Sequence, residues 1–281
     1  MCSVEDAISG KGEAMLRATF QLVPGLGPER ERRLWQGSVL DWTQLSQAPA
    51  ALLRPGLRAP LLAAARAAEV ALDAGDLAAV ASALPAREHW RLYGAFAERA
   101  VYLDIETDLE EGVTAIGLLD RTGPRVLLAG RDLEALADLV PPSCLLVTFN
   151  GASFDLPVLE RTFPWWRRPA AHVDLRPVLG WLGYHGGLKS IEQQTGVGRP
   201  DHLRGLSGSS AVWLWRHGAR GNREALRLFA EYNLYDAVNL RTLMAMAYNQ
   251  LAARSGVPCE EVNVSRRGDV LYDISKILLA L

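Results

Sequence analysis

The chain has 281 residues, of which 49% are hydrophobic and 22% are charged, and its formal net charge is −2. This composition excludes a disordered or collagen-like chain, and the small net charge argues against a uniformly basic protein that coats nucleic acid. Three widely spaced cysteines exclude a disulfide framework and a CxxC zinc site. Charged residues lie within residues 1–13 and interrupt the longest Ala/Leu run, 59–85. We therefore expect a cytoplasmic protein without a signal peptide or a membrane span.

The first third of the chain has few β-branched residues and predicts a small all-helical module over residues 1–97. Apolar residues recur at helical spacing in five segments: 28–36, 41–48, 57–73, 76–83 and 86–97. The pattern changes to strands from residue 98, so we place a domain boundary there. A second domain is expected over 98–255, followed by a C-terminal segment, 256–281, that docks on the core through an apolar helix at 269–280.

A short motif in the helical module, at residues 20–30, combines an apolar segment, a tight glycine turn and the start of a helix. Helix-hairpin-helix DNA-binding motifs have a similar Pro-Gly-apolar-Gly core, in which backbone N–H groups of the next helix contact phosphate. The resemblance implies DNA-phosphate contacts by Gly25, Gly27 and Arg30. A plain helix-turn-helix corner explains the same residues equally well.

The second domain begins with a predicted meander of three strands: 100–104, 113–119 and 125–129, the last two joined by a turn-rich connection. Helices and strands then alternate up to one long helix: helix 131–139, strand 144–149, helix 153–162, strand 172–174 and helix 222–252. A meander followed by this alternation indicates an α/β domain with a mixed five-stranded sheet flanked by helices.

Two acidic residues lie at the end of the first predicted strand: Asp104 is its last residue, and Glu106 follows in the direct continuation of the strand. Because they are two residues apart they project from one face, while Leu103 and Ile105 point into the core. Adjacent carboxylates repel each other, and this strand contains no Lys or Arg to compensate them. We therefore predict a divalent cation here, and an all-oxygen ligand set favours Mg²⁺ or Mn²⁺. An exposed acidic strand end is the alternative interpretation.

Two further acidic residues follow in helical segments. Asp155 falls in the first turn of a predicted helix, shortly after a turn at Asn150. Asp236 lies one helical turn from Tyr232, on the same face of the long helix. Both acids also have ordinary explanations, because the helix dipole favours an acid near a helix N-terminus and a long helix often has a solvated face.

The order of these motifs, strand-DxE, helix-start Asp and helix-YxxxD, resembles the DEDD superfamily of 3′-to-5′ exonucleases with the ribonuclease H-like fold, also called DnaQ-like. The residue five positions before Asp236 is Glu231 rather than His, so the chain is similar to the tyrosine subtype. Within the superfamily it most resembles the bacterial YprB-type predicted exonucleases, on four segments: 104–107, 150–155, 187–192 and 232–236.

This resemblance implies a metal-dependent 3′-to-5′ exonuclease that releases nucleoside monophosphates from DNA or RNA, with single-stranded 3′ ends as the expected substrate. It implies that two Mg²⁺ or Mn²⁺ ions are held by four carboxylates: Asp104, Glu106, Asp155 and Asp236. Tyr232 would orient the attacking water. Three other side chains are secondary candidates for substrate contacts: Thr107, Asn150 and Lys189.

Other interpretations stay open from the sequence. A nuclease-like fold could act as a nucleic-acid-binding adaptor without catalysis, although such a module has no use for metal ligands. A metal-dependent phosphohydrolase of small nucleotides is a third function. His172 and Asp174 flank a short predicted strand and invite a catalytic role, but a strand-end Asp and a satisfied histidine explain them more simply.

Overall fold

The computed structural model describes four stretches of the chain: residues 12–110, 112–264, 274–279 and 281. The chain forms two compact units: unit 1, Met1–Ala97 with Ala247–Asn263, and unit 2, Glu98–Met246 with Val264–Leu281. The three-domain division made from the sequence stays a prediction. Among the described residues, no helix combines the length and the apolar character needed to cross a membrane.

Unit 1 is helical, as the sequence predicts. The described residues up to Ala97 form the α-helices α1 (Ala14–Arg17), α2 (Pro28–Gln36), α3 (Pro55–Asp73), α4 (Leu77–Ser82) and α5 (Tyr93–Phe96). Two segments that were predicted as helices fold wholly or partly as 3₁₀ helix: 41–48 at Trp42–Gln47, and 86–97 at Ala86–Leu92 and Ala97–Arg99. A 3₁₀ helix aligns residues three apart, and Arg91 uses this alignment to donate from Nε to Glu88 at 2.9 Å.

Glu31, a buried acidic side chain of α2, holds the first residues of the glycine motif, 20–30, against this helix. Its carboxylate accepts hydrogen bonds from the backbone N–H of Phe20 at 2.7 Å and from the amide of Gln21 at 2.8 Å. Arg91 donates to both of its oxygens, at 2.7 and 3.2 Å. Burial of this charge is therefore compensated by a charged partner and by neutral donors, as a stable interior requires.

Unit 2 is built on a mixed five-stranded sheet, which confirms the predicted fold class. The strands are β1 (Ala100–Asp108), β2 (Gly112–Asp120), β3 (Gly123–Leu128), β4 (Leu145–Thr148) and β5 (Ala171–Asp174). Their order across the sheet is β3-β2-β1-β4-β5. The first three strands pair antiparallel, whereas β4 pairs parallel with β1 and with β5.

The helices after β3 are α6 (Leu136–Leu139), α7 (Asp155–Thr162), α8 (Leu175–Trp181), α9 (Leu188–Thr195), α10 (Gly208–Ala219), α11 (Arg223–Ser255) and α12 (Ser275–Leu279). Two short 3₁₀ helices lie among them, at Leu133–Ala135 and Asp201–Leu203. The first of these takes up part of the helix predicted over 131–139. The terminal helix predicted over 269–280 lies partly outside the described residues.

Strand β1 is longer than the sequence predicts, because it continues past Asp104 to Asp108. Acidic residues are poor strand formers, yet pairing with β2 carries the strand through Glu106, with a bulge between Glu106 and Thr107. Bulges commonly redirect side chains next to functional sites. The acidic end of β1 is thus held inside the sheet rather than in a loose connection.

One apolar core cluster of unit 2 lies on one face of the sheet. Leu103 and Ile105 of β1 belong to a buried apolar cluster that also contains Leu156 and Leu159 of α7. Because side chains alternate along a strand, Asp104 projects from the opposite face of β1. The alternation expected from the sequence is therefore present, and it separates this apolar cluster from Asp104.

Candidate metal centre

Three carboxylates from two elements meet at the acidic face of the sheet. Asp104 and Glu106 come from β1, and Asp236 comes from α11. One carboxylate oxygen of each lies within 4.8 Å of the corresponding oxygens of the other two. Asp236 is buried, whereas the two strand residues are partly exposed. Several hard oxygen donors at this spacing form the kind of group that a divalent cation prefers.

The fourth predicted carboxylate, Asp155, is the first residue of α7. Its Oδ1 accepts a hydrogen bond of 3.2 Å from the backbone N–H of Ile105, the residue between Asp104 and Glu106. All four acids line one cleft of about 670 Å³, although Asp155 is not a member of the group of three found among the described residues. The structure thus brings the four predicted ligands to the same cleft.

The turn before α7 places Asp155. Asn150 has a left-handed backbone, φ 64°, and Asp174 accepts hydrogen bonds from the backbone N–H groups of Asn150 at 2.7 Å and Ala152 at 3.1 Å. The side-chain oxygen of Asn150 accepts from Arg176 at 2.8 Å. Asp174 therefore supports the turn, which agrees with the simpler of the two interpretations made from the sequence.

The pKa values of three acidic residues in the cleft are raised. Burial, with further contributions from Asp236, Asp155 and Glu106 in that order, raises the pKa of Asp104 well above the ordinary value. Burial and then Asp236 raise the pKa of Glu106 to about 8. Burial raises the pKa of Asp155 to about 7. In each case the charged form is destabilised, so the site favours an added positive charge.

Two cations that the argument from β1 alone did not include reach this cluster. Arg199 Nη2 donates to Asp236 Oδ1 at 2.5 Å, and Lys189 Nζ lies 3.7 Å from Asp236 Oδ2. Lys189 was predicted as a substrate contact. Arg199 was missed, because it lies in the connection after α9, where no periodicity or motif marks it. Its partner Glu192 is buried and needs a basic partner, but this burial is visible only in the structure.

These cations do not neutralise the site. Five carboxylates face the two cations: Asp104, Glu106, Asp155, Glu192 and Asp236. Burial is the main cause of the raised pKa values of Asp104, Glu106 and Asp155, and the neighbouring acids add to it at Asp104 and Glu106. The excess charge and the oxygen-only donor set together fit a divalent cation.

Asn233, another residue that sequence reasoning missed as a site residue, orients Asp104. Its Nδ2 donates to the Asp104 carboxylate at 3.0 Å and to the Asp104 carbonyl at 3.2 Å. Asp104 pairs across the sheet with Gly117, and a Cβ at Gly117 would lie 2.8 Å from the Asn233 backbone oxygen. The absent side chain therefore lets α11 approach β2. The available signal was a polar residue on the apolar face of the long helix.

Tyr232 lies one turn before Asp236 on α11 and is buried. The Lys189 ammonium donates a hydrogen bond to its hydroxyl oxygen and lies 4.2 Å from the ring centroid. Burial, followed by Asp236, Glu106 and Asp104, raises the pKa of Tyr232 above the ordinary value of about 10. The phenol is therefore neutral and carries a proton at physiological pH.

The rim of the cleft combines apolar and basic groups. Leu109 is fully exposed and Phe154 is half-exposed, and both line the cleft together with Thr107. Arg216 of α10 also lines it and donates from Nε to the buried carboxylate of Asp108 at 2.7 Å. This ion pair anchors α10 beside the end of β1.

The residues of the glycine motif lie in unit 1. Gly25, which has φ 87°, and Gly27 line a cleft of about 740 Å³ within that unit. Gly27 is the N-cap residue of α2. The Arg30 guanidinium donates to the Gly25 carbonyl, so in this structure it closes the loop. Contacts of these residues with DNA phosphate stay a prediction.

Comparison with known protein families decides the classification of unit 2. The sequence model of the RNase_H superfamily matches residues 101–248, which is more than half of the chain. The chain belongs to the RNase H superfamily. The RNase H region runs from β1 into α11 and contains all four cleft carboxylates. Neither the curated proteins nor the solved structures that were searched gave a match. RNase H-like proteins usually hydrolyse phosphodiester bonds with divalent metals, which supports a nuclease-type activity.

Proposed function

We propose that this RNase H superfamily protein is a metal-dependent 3′-to-5′ exonuclease of the tyrosine DEDD type, related to the YprB-type enzymes. It shortens single-stranded ends of DNA or RNA and releases nucleoside monophosphates. The observation that carries the proposal is the convergence of the four carboxylates and Tyr232, in the order typical of that superfamily, around one face of an RNase H sheet.

In this proposal Asp104, Glu106, Asp155 and Asp236 hold Mg²⁺ or Mn²⁺ ions. Bound divalent ions would supply Lewis acids that activate water and stabilise the departing 3′ oxygen. The protein itself contributes the rigidity of the donor set, because Asn233 fixes Asp104 and the backbone of β1 fixes Asp155. Ligands held in this way need little reorganisation when the substrate binds.

Tyr232 orients the attacking water in this proposal. Lys189 donates to the hydroxyl oxygen of Tyr232, so it occupies an acceptor position of that oxygen and leaves the phenolic proton for another partner. The raised pKa means that the hydroxyl acts as a hydrogen-bond donor and not as a base. A water that accepts this bond would have its lone pairs directed by the protein.

The cleft offers suitable surroundings for a terminal nucleotide. Leu109 and Phe154 expose apolar surface next to the carboxylates, and a nucleobase can stack on an aromatic side chain. Thr107 and Asn150 also line the cleft and are proposed to contact the sugar or phosphate. Lys189, whose ammonium lies beside Asp236, is proposed to contact the phosphate once substrate is bound.

A cleavage time course tests this function. 5′-Labelled single-stranded DNA and RNA oligomers are incubated with Mg²⁺ or Mn²⁺, and the wild type is compared with Asp155→Ala. We expect a ladder that shortens from the 3′ end, mononucleotide products, and loss of both in the variant. If both proteins bind the oligomers without cleaving them, with or without metal, the proposal is contradicted and a binding adaptor is favoured. Hydrolysis of nucleoside triphosphates but not of oligomers would favour a phosphohydrolase.

The tyrosine subtype has its own test. Tyr232→Phe removes the hydroxyl and is expected to lower turnover by ~10²-fold, with Mn²⁺ affinity unchanged in calorimetry. Tyr235→Phe is the matched control, since Tyr235 is also buried on α11 but is not a predicted site residue, and it should keep full turnover. An equal loss of metal affinity and of activity in Tyr232→Phe would contradict the role given to this hydroxyl.

A further inference from the structure

Arg199 is buried behind the carboxylate cluster, where its Nε and Nη2 atoms are hydrogen-bonded to acidic side chains. Only 6% of its side chain is exposed. Its Nε and Nη2 donate to the two oxygens of Glu192 at 2.9 and 2.6 Å, and Nη2 also donates to Asp236 Oδ1 at 2.5 Å. Asn239 donates to Glu192 at 2.9 Å. The guanidinium is thus held in one orientation from behind and in turn holds one oxygen of Asp236.

Lys189, the other cation at Asp236, is bound quite differently. Its side chain is 36% exposed, and its Nζ lies 3.7 Å from Asp236 Oδ2, beyond hydrogen-bonding distance. Its hydrogen bond goes to Tyr232. The two cations therefore contact opposite oxygens of the same carboxylate. Arg199 is part of the interior, whereas Lys189 is at the edge and can move into solvent.

We propose that Arg199 is a positioning residue that fixes Asp236 through Oδ1 and presents Oδ2 as the metal ligand, while Lys189 is an exchangeable counter-ion that gives way when the metal binds. The inference rests on the metal centre of the proposed function and assigns the chain's own residues around it. In this arrangement Asp236 binds metal through a single oxygen, because Arg199 already engages the other.

The two roles predict opposite signs for the same change of charge. Removing a positive charge near a cation site strengthens cation binding by simple electrostatics. Lys189→Met is therefore expected to tighten Mn²⁺ binding by a few-fold. Arg199→Met removes the same charge but frees Asp236 to rotate, and loss of a partner that orients a metal ligand typically costs ~10- to 100-fold in metal affinity. Arg199→Met should therefore weaken Mn²⁺ binding.

The experiment is a titration of the metal-free full chain with Mn²⁺. Calorimetry and the electron paramagnetic resonance signal of free Mn²⁺ both measure the binding. Weaker binding by Arg199→Met together with tighter binding by Lys189→Met supports the proposal. Tighter or unchanged binding by Arg199→Met would overturn it, because Arg199 would then act only as a competing charge. Arg199→Lys keeps the charge but not the forked geometry, so it should also bind Mn²⁺ more weakly than the wild type.

A second variant keeps the test valid if Arg199→Met leaves Glu192 buried without its partner and prevents folding. Glu192→Leu with Arg199→Met replaces the buried Arg199–Glu192 ion pair by apolar groups and leaves Asp236 in place, and proteins often tolerate such a replacement of a buried pair. Its circular dichroism should match the wild type while its Mn²⁺ affinity falls as in the single variant. Wild-type affinity in this folded double variant would overturn the proposal. Metal binding that follows the predicted pattern without any cleavage of oligomers would support the role of Arg199 and contradict the exonuclease function.

Discussion

Unit 1 and unit 2 both enclose acidic side chains, but these have different partners. Glu31 in unit 1 is surrounded by donors, with Arg91 on both oxygens and neutral N–H groups from Phe20 and Gln21. In unit 2, burial and the nearby carboxylates raise the pKa values of Asp104 and Glu106. One unit compensates its buried charge internally, and the other keeps an excess.

The difference separates a structural charge from a functional one. A buried ion pair is tolerated when its partners are complete, as around Glu31, and contributes mainly to a defined arrangement. An uncompensated cluster of like charges lowers the stability of the fold, so its presence in a cleft indicates a ligand that supplies the missing charge. The two units should therefore respond in opposite directions when a carboxylate is neutralised.

Asp104→Asn is the change with the largest expected effect. It removes a predicted metal ligand and should lower the cleavage rate by ~10³-fold. The same substitution should raise the melting temperature of the metal-free protein at pH 8, because burial and then the acidic neighbours disfavour the charged form of Asp104. Asp120→Asn is the control in the same unit and should keep full activity, since Asp120 accepts hydrogen bonds from Thr122 and Arg125 of its own hairpin. A lower melting temperature for Asp104→Asn would contradict the comparison.

Glu31→Gln tests the other unit. It leaves Arg91 buried with one of its two acidic partners missing, so we expect the free energy of unfolding to fall by about 3–5 kcal/mol. The measurement is urea denaturation followed by circular dichroism. Glu29→Gln is the matched control, because its ion pair with Arg32 is exposed and should contribute less than about 1 kcal/mol. Equal effects of the two substitutions would show that the buried network is not a source of stability.

The same contrast explains what could be predicted from the sequence. Asp104, Glu106 and Asp236 lie together, as the resemblance of the motif order to the DEDD superfamily implied, whereas the spacing of each motif alone also allowed an exposed acidic residue. Arg199 and Asn233 were not predicted, because their roles depend on contacts with Asp236, 37 residues away, and with Asp104, 129 residues away. Such pairings are decided by tertiary packing and leave no local periodicity.

The fold shows the same limit on a larger scale. The five strands were predicted from short apolar runs, and the longest helix from apolar residues that recur at helical spacing. The end of β1 was predicted too early, at 104, because the polar residues up to Asp108 are strand formers only when paired with β2. The 3₁₀ helix at Ala86–Leu92 was predicted as α-helix, because the ion pair that accompanies it is invisible to helical periodicity.

Gly117→Ala should lower both the stability of the fold and the affinity for Mn²⁺, by smaller amounts. A Cβ at this position would lie 2.8 Å from both the backbone oxygen and Oδ1 of Asn233, so α11 must shift away from β2. We expect a loss of about 1–3 kcal/mol in the free energy of unfolding and weaker Mn²⁺ binding, because Asn233 then releases Asp104. Gly56→Ala is the control, since a Cβ there meets nothing within 4 Å and should stabilise α3 by about 0.5–1 kcal/mol. Unchanged metal affinity in Gly117→Ala would show that Asn233 does not orient Asp104.

The smallest predicted effect concerns the pH dependence of stability without metal. Glu106 and Asp155 have folded-state pKa values of about 8 and 7, well above the ordinary carboxyl value near 4. A raised carboxyl pKa contributes stability that is complete below about pH 4 and is lost as the pH rises through 7 and 8, because the folded state then has to release protons that it holds more tightly. The melting temperature of the metal-free protein should therefore fall by at least ~2–4 °C between pH 5 and pH 8.5.

Glu106→Gln should show a shallower fall in melting temperature over the same pH range. Mn²⁺ should reverse most of the fall in the wild type, since the metal supplies the charge that the cluster lacks. The same fall in the wild type and in Glu106→Gln would mean that this cluster does not control the pH dependence.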